Sequence, residues 1–378
     1  MAPSTPALVA VAVATAHQRR ATALLSRPHQ LRSRQQPRNL MPSMTSAPSS
    51  DVVDRAFELM GTHIRILVGE PSSPDSGSPE DAADRVEAFL NVYNETMSRF
   101  RPDSELSKLN ADQREEVPAS PLMRSAISAA LAAANQSDGL VDPTLLGELE
   151  DAGYREHWTS EHRVELREAL AAYRSTPEPA EPASASRWRE ISVDDEAGLI
   201  RRPRGVRIDT GGTGKGHAAD LASELLSGFE TWAVDCGGDV RIGGNSGVER
   251  AVEVLGAFDD GQIETITVRG GAVATSGLNS RIWVDESGNS AHHLINPATG
   301  RSAFTGLVAA TAVAPTAVEA ETLAKLALLK GPEAAAQVLA RFGGITVAAD
   351  GTVERIGSLN AAPRVRLTMP SPNSTKGN

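Results

Sequence analysis

The chain has 378 residues, 40% of them hydrophobic and only 4% aromatic, with 48 acidic residues against 37 Lys and Arg and a formal charge of −11. That length suits two compact domains better than one, and the acidic balance argues against a nucleic-acid partner, which wants a clustered basic face and rings for stacking. The single cysteine, Cys236, can close no intramolecular disulfide and supplies no thiolate cluster for zinc or iron–sulfur.

Residues 1–50 contain six Arg and no Asp or Glu. Such a composition buries no core, so a disordered or targeting-like leader is expected there, with Met41 or Met44 as candidate starts. The apolar run 7–16 is about half the length that spans a bilayer, and its Arg residues follow it instead of preceding it. Neither a transmembrane segment nor an export signal nor a lipid-anchor cysteine is expected, which leaves a cytoplasmic location as the default. Residues 366–378 read as a disordered tail.

In the body, 57–68 alternates in hydrophobicity and reads as a strand bent at Gly61. Ser78 with Asp81 three residues later resembles a capping box, and Val86, Phe89, Leu90, Tyr93 and Met97 then recur at helical spacing. Pro102 and Asp103 break that helix, and Ser104 caps a short new one. An Ala-rich helix is expected over 122–135, ending in the turn at Asp138 and Gly139. A charged helix from 158 gives way to Pro177, Pro179 and Pro182. Two strands, 190–193 and 198–201, form a hairpin. A glycine-rich run leads into a helix with Ala219, Leu221 and Leu225. Strands follow at Trp232–Cys236, 251–254, 265–268 and 281–284, then an amphipathic helix over 317–329 and a strand pair within 345–353. Strand runs mixed with separate helices indicate an α+β fold with mixed or antiparallel sheets flanked by helices.

The run Asp209-Thr-Gly-Gly-Thr-Gly-Lys-Gly216 fails as a phosphate loop, because Asp209 and Gly216 stand where a glycine and a hydroxyl are needed. It also misses the dinucleotide fingerprint, with His217 at the third glycine. Two readings remain: a backbone that approaches an anion at a helix N-terminus with Lys215 nearby, or an ordinary strand-to-helix turn. The pair Gly237 and Gly238 before Asp239 is a second candidate turn.

Taken in order, these segments resemble the ApbE-like family of FAD:protein FMN transferases over about residues 56–345. The resemblance is carried by Met60, Gly61 and Thr62; by Phe100-Arg-Pro-Asp-Ser-Glu-Leu-Ser107, with Phe at a usual Tyr; and by Asp138-Gly-Leu-Val-Asp-Pro-Thr144. Asp209 to Asp220, Gly237-Gly-Asp239, Ala274-Thr-Ser-Gly277, His293-Leu-Ile-Asn-Pro-Ala-Thr-Gly300 and Ala314-Pro-Thr316 complete the order. It implies T-fold-like halves within a transferase domain at 51–365, in two lobes of about 51–155 with later segments and 185–345. It also implies transfer of FMN from FAD to a Ser or Thr hydroxyl of an acceptor protein, with AMP leaving. Flavin contacts then fall on Met60, Phe100, Leu140, Val141, Asp142, Asp209, Lys215 and Ile295. In the family Mg²⁺ is held by a backbone carbonyl at the position of Gly212, an Asp and a Thr, which makes Gly212 and Glu321 the metal candidates here, and His293 would take the hydroxyl proton.

The chain departs from that pattern at the helix. The family's Asp and Thr, four residues apart on one face, are Glu321 and Lys325 here, and the Asp after Ile295 is Asn296. Glu can still ligate; Lys325 is an ammonium with donors only. Unit charges about 4 Å apart interact by roughly 4 kcal/mol at an effective dielectric near 20, so Lys325 can stand in for the ion beside the diphosphate and also repel it. The expectation is weakened metal dependence with Lys325 on the diphosphate; the plain alternative is an i,i+4 pair on a solvated face. A module that binds FAD without transfer, or a hydrolase that releases FMN and AMP, are the competing functions. His292 reads as structural, and His217 as packing or solvent.

Overall fold

Val53–Leu59 (β1) and Thr62–Val68 (β2) form an antiparallel hairpin whose turn residues, Met60 (φ 55°) and Gly61 (φ 68°), are both left-handed. Two consecutive positive φ values match the right-handed twist of paired strands and reverse the chain. The single bent strand expected over 57–68 is therefore two strands. The computed structural model describes residues 43–44, 52–157, 164–173, 176–259, 261–284 and 288–359, all within one compact unit. The predicted leader and tail lie outside the described residues, save Ser43–Met44, which pairs with Arg250–Leu255.

Six further strands extend the hairpin: Trp232–Cys236 (β3), Asp239–Gly243 (β4), Gly271–Gly277 (β5), Leu307–Ala314 (β6), Gly344–Ala348 (β7) and Val353–Ile356 (β8). They make one eight-stranded sheet, antiparallel at every step, in which the order in space is the order in the chain. Helices interrupt it twice. Pro79–Met97 (α1), Glu105–Ala111 (α2), Pro121–Gln136 (α3), Leu146–Asp151 (α4), Leu166–Ala172 (α5) and Gly214–Glu224 (α6) separate β2 from β3. Ala317–Lys330 (α7) and Pro332–Leu339 (α8) separate β6 from β7. Each half thus runs hairpin, helices, hairpin, as T-fold-like halves require.

The helix starts are chemically legible. Ser78, Ser104 and Ser120 each accept a hydrogen bond from the backbone N–H three residues on, at 3.1, 3.0 and 3.1 Å, satisfying an amide that the helix itself leaves free. The charged helix expected from 158 starts outside the described residues; its described part is α5.

Alternation sorts the sheet's side chains onto two faces. Leu67, Ala233, Val240, Ile242, Val273, Val313 and Ile345 meet Val252, Val254, Ile266 and Val268 of a hairpin built from Arg250–Leu255 and Gln262–Val268. Ile64, Ile66, Val234, Ala272, Ala274, Ala312 and Ala314 face the helices, where α1 contributes Val86, Leu90, Tyr93 and Met97. Because both faces are covered, all eight residues of β6 are buried. α7 departs from the amphipathic expectation. It is wrapped by α6, α8, β5 and β6, and Ala320 to Leu329 are all buried, Glu321 and Lys325 among them.

Candidate functional site

Strand direction brings two tight turns to one end of the sheet. β1 runs into Met60–Gly61, and β3 runs into Gly237 (φ 67°) and Gly238 (φ 89°), with Ile64 opposite Cys236 between them. A Cβ on Gly237 would lie 2.1 Å from the Thr62 hydroxyl, so the two turns pack at a distance only glycine permits.

An aromatic wall with a guanidinium forms beside the first turn. A Cβ on Gly61 would sit 3.3 Å from the imidazole of His157, whose ring lies 5.8 Å from that of Phe100. Phe100 meets Tyr154 edge-on at 5.6 Å. The Arg99 guanidinium covers both rings, at 4.2 and 4.4 Å from their centroids, and donates to the Tyr154 carbonyl at 2.9 Å. Asp209 holds Arg99 in place through Nε at 3.1 Å, and its other oxygen accepts from the Gly211 amide. Both charged side chains are about 10% exposed. Next to the wall, a cleft is lined by Gly153, Tyr154, Arg155, Glu156, His157 and Trp283. A flat, electron-poor ring system suits such a platform.

The run after Asp209 leads directly to a second cluster. Lys215, in the first turn of α6, pairs with Asp239 at the start of β4, and its Nζ lies 3.7 Å from Glu321 Oε1. Lys325 Nζ donates to the same Glu321 oxygen at 2.8 Å, while Glu321 Oε2 accepts the Gly216 amide at 2.9 Å. Gly216 makes this approach possible, because a Cβ there would stand 2.6 Å from the Ala317 carbonyl. Burial pulls the Lys215 pKa down, but Asp239 and Glu321 outweigh it and leave it raised. Burial likewise opposes ionisation of Glu321, and Lys325 and Lys215 reverse that, so its pKa is lowered. Asp239 is raised, by burial first and then by Glu321. Two lysines and two acidic side chains thus meet in the interior, with Glu321 the carboxylate held ionised. The pair at 321 and 325 lies on a buried face, not the solvated one weighed from sequence.

His293 borders this cluster. Its pKa is driven well below the usual value by burial and by the charges of Arg281, His292 and Lys325, so the imidazole is neutral. Its Nδ1 lies 3.4 Å from the Arg281 carbonyl. Arg281 also covers Tyr154 at 5.6 Å, which links the wall to the cluster. His292 is fully buried against the Ala303 carbonyl at 2.8 Å and is structural. His217 packs inside, between the Tyr93 hydroxyl and Ser125 Oγ, each at 3.0 Å.

Of the remaining sequence candidates, Val141 adjoins Gly212, a Cβ on which would lie 3.6 Å from Val141 Cγ1; Leu140 is buried beside it. The Asp142 carboxylate, raised in pKa by burial, turns to the Thr144 amide and hydroxyl, at 2.7 and 2.6 Å. Ile295 is 5% exposed in the short hairpin of Ile295–Asn296 with Arg301–Ser302, and the Asn296 side chain is engaged by the Glu181 amide at 3.2 Å. Arg99, Tyr154, Arg281 and Asp239 were not among the residues picked from sequence. Arg99 adjoins Phe100, and Asp239 closes the Gly-Gly-Asp turn, so adjacency was the available signal for both.

The donor set does not suit Mg²⁺. That ion wants near-octahedral oxygen ligation at about 2.0–2.1 Å. Both Glu321 oxygens already accept hydrogen bonds, its i,i+4 partner offers only N–H donors, and Asp239 Oδ1 is the cluster's one buried carboxylate oxygen without a partner. Among the described residues no group of three or more His, Cys, Asp or Glu is arranged to hold a metal.

The sequence model of the ApbE family matches residues 60–349. The chain belongs to the ApbE family. Relatives include the FAD:protein FMN transferase of Escherichia coli K12, 24% identical over 311 residues that cover 80% of this chain and 84% of that one. The FAD:protein FMN transferase of Treponema pallidum is 26% identical over 334 residues, covering 81% and 89%. The crystal structure of the ApbE protein of Thermotoga maritima superposes with a TM-score of 0.65 at 28% identity, over 81% of this chain and 97% of that one. The α+β architecture is thus an ApbE fold. Among the described residues no helix is long and apolar enough to cross a membrane.

Proposed function

We propose that this chain transfers FMN from FAD to a Ser or Thr hydroxyl of an acceptor protein and releases AMP. The observation that carries this reading is the Asp209–Lys215 run, which joins a stacking wall at one end to two ammonium groups at the other. Such a site matches a molecule with flat rings and a doubly charged diphosphate. Relatives of the chain are named as transferases of this kind.

Arg99, Phe100 and Tyr154 orient the ring system, with Met60 closing the same end. Lys215, Lys325 and the first amides of α6 balance the diphosphate as its charge shifts toward the leaving group. The acceptor hydroxyl oxygen attacks the FMN-side phosphorus. A new P–O bond forms, the phosphorus bond to the bridging oxygen breaks, and AMP departs with that oxygen. The hydroxyl proton passes to the neutral imidazole of His293. Glu321 has no step of its own; it holds both ammonium groups in position.

The test is incubation of the purified chain with FAD and a candidate flavin-accepting protein. A fluorescent acceptor band that survives SDS, with AMP in equal amount, is the expected product. Free FMN with an unlabelled acceptor would make the chain a hydrolase, and unchanged FAD would leave it a binding module.

A further inference from the structure

We infer that Lys325 is a built-in cation of this site, and that the chain binds the FAD diphosphate and transfers FMN without a divalent metal. The inference rests on the proposed transfer reaction and specifies what neutralises its phosphates.

Three observations carry it. First, the carboxylate on α7 best placed to take a metal already has both oxygens engaged: Glu321 receives Lys325 at 2.8 Å and the Gly216 amide at 2.9 Å, with Lys215 at 3.7 Å. A divalent ion entering there would sit against the Lys325 ammonium, on a side chain that is 1% exposed. Second, the i,i+4 spacing puts residue 325 on the same face as Glu321, and this chain fills that place with donors alone. Third, the Lys325 side chain is itself about 10% exposed, and its hydrogen bond to Glu321 uses one of three N–H groups. The other two can donate to phosphate oxygens. Lys215 reaches the same Glu321 oxygen from the first turn of α6, so the cation charge converges from two helices on one point. A fixed ammonium pair needs no ion from solution and cannot be stripped by a chelator.

The experiment measures FAD affinity by flavin fluorescence, transfer to an acceptor protein, and Mn²⁺ binding by electron paramagnetic resonance. The parent and Lys325→Thr are compared, each with EDTA and with Mg²⁺. The parent is expected to bind FAD and flavinylate equally well in EDTA, and to leave the Mn²⁺ signal that of the free ion. Lys325→Thr restores an oxygen one turn from Glu321. It should acquire a Mn²⁺ site, and its FAD affinity should become metal-dependent by about ten-fold or more. A parent that loses FAD affinity and transfer in EDTA and regains both with Mg²⁺ overturns this inference and leaves the transferase reading intact. A parent that binds no FAD under either condition overturns both. Should Lys325→Thr fail to fold, the parent's response to EDTA decides alone, and Lys325→Gln, which keeps a donor, should bind FAD more weakly than the parent with or without metal.

Discussion

The aromatic wall and the lysine–carboxylate cluster meet at one turn yet are built on different principles. Arg99, Phe100, Tyr154 and Asp209 come from helix ends and connecting segments, and Phe100 and Arg99 stay partly open. Lys215, Asp239, Glu321 and Lys325 come from two packed helices and a sheet strand, and the carboxylates are fully enclosed. The wall can adjust to what stacks on it. The cluster cannot, because its two buried acidic side chains have given up water for fixed partners on neighbouring elements. Substitutions in the wall should therefore register in ligand affinity, and substitutions in the cluster in stability as well.

The sharpest way to break that contrast is Glu321→Ala. It leaves two buried ammonium groups facing each other across the lost carboxylate, and a loss of about 3–5 kcal/mol in urea unfolding is expected. A loss below about 1 kcal/mol would mean that water already enters the cluster and that the two regions are alike. Next in size is a pH effect at His217, whose pKa is pulled down from 6.5 to about 4, by burial first. The unfolded chain takes up this proton below about 6.5 and the folded chain only near 4, so the contribution present above 6.5 is lost as pH falls across that window. The stability gap between the parent and His217→Gln should narrow there by at most roughly 3 kcal/mol. The difference between the two proteins is the quantity to read, since burial raises Asp235 to about 6 and gives a slope of opposite sign.

In the wall, Arg99→Lys keeps the charge and loses the planar face over Phe100 and Tyr154. FAD should bind about ten-fold more weakly, with the unfolding midpoint little changed. A midpoint that falls as far as in Glu321→Ala would erase the distinction. The smallest effect serves as a baseline remote from both regions. Ser78→Ala removes the cap of α1 and should cost about 1 kcal/mol without touching FAD affinity.

Burial on both faces does not by itself hide an element: β3 and α7, buried along most of their length, are legible in the sequence, whereas β5 and β6 are not. α1 shows its apolar stripe, and the capping serines of α1 to α3 announce their starts. β5 and β6, at the centre of the sheet, are mostly Ala, Gly and Val, with Thr275, Ser276 and Thr311 among them. A strand packed on both sides has no alternation to display. α8 is not apparent from the sequence either, although only one of its faces is buried. α7 was expected to be amphipathic because Glu321 and Lys325 look like surface residues; their mutual pairing is what lets them be buried. At the site, the motif order located the Asp209–Lys215 run. The geometry around it depends on Arg99, Arg281 and Asp239, which come from three separate stretches of chain and are united only by the fold.

The sheet's strict succession of strands bears on how the molecule assembles. The β1–β2 hairpin has its partner β3 only after everything between Val68 and Trp232 has been laid down, whereas β3 to β8 each find a neighbour sooner. Closing so long a loop is entropically slow. The later strands are therefore expected to pair before β2 meets β3. By the same reasoning, the Met60 turn is expected to reach the Gly237–Gly238 turn late in folding.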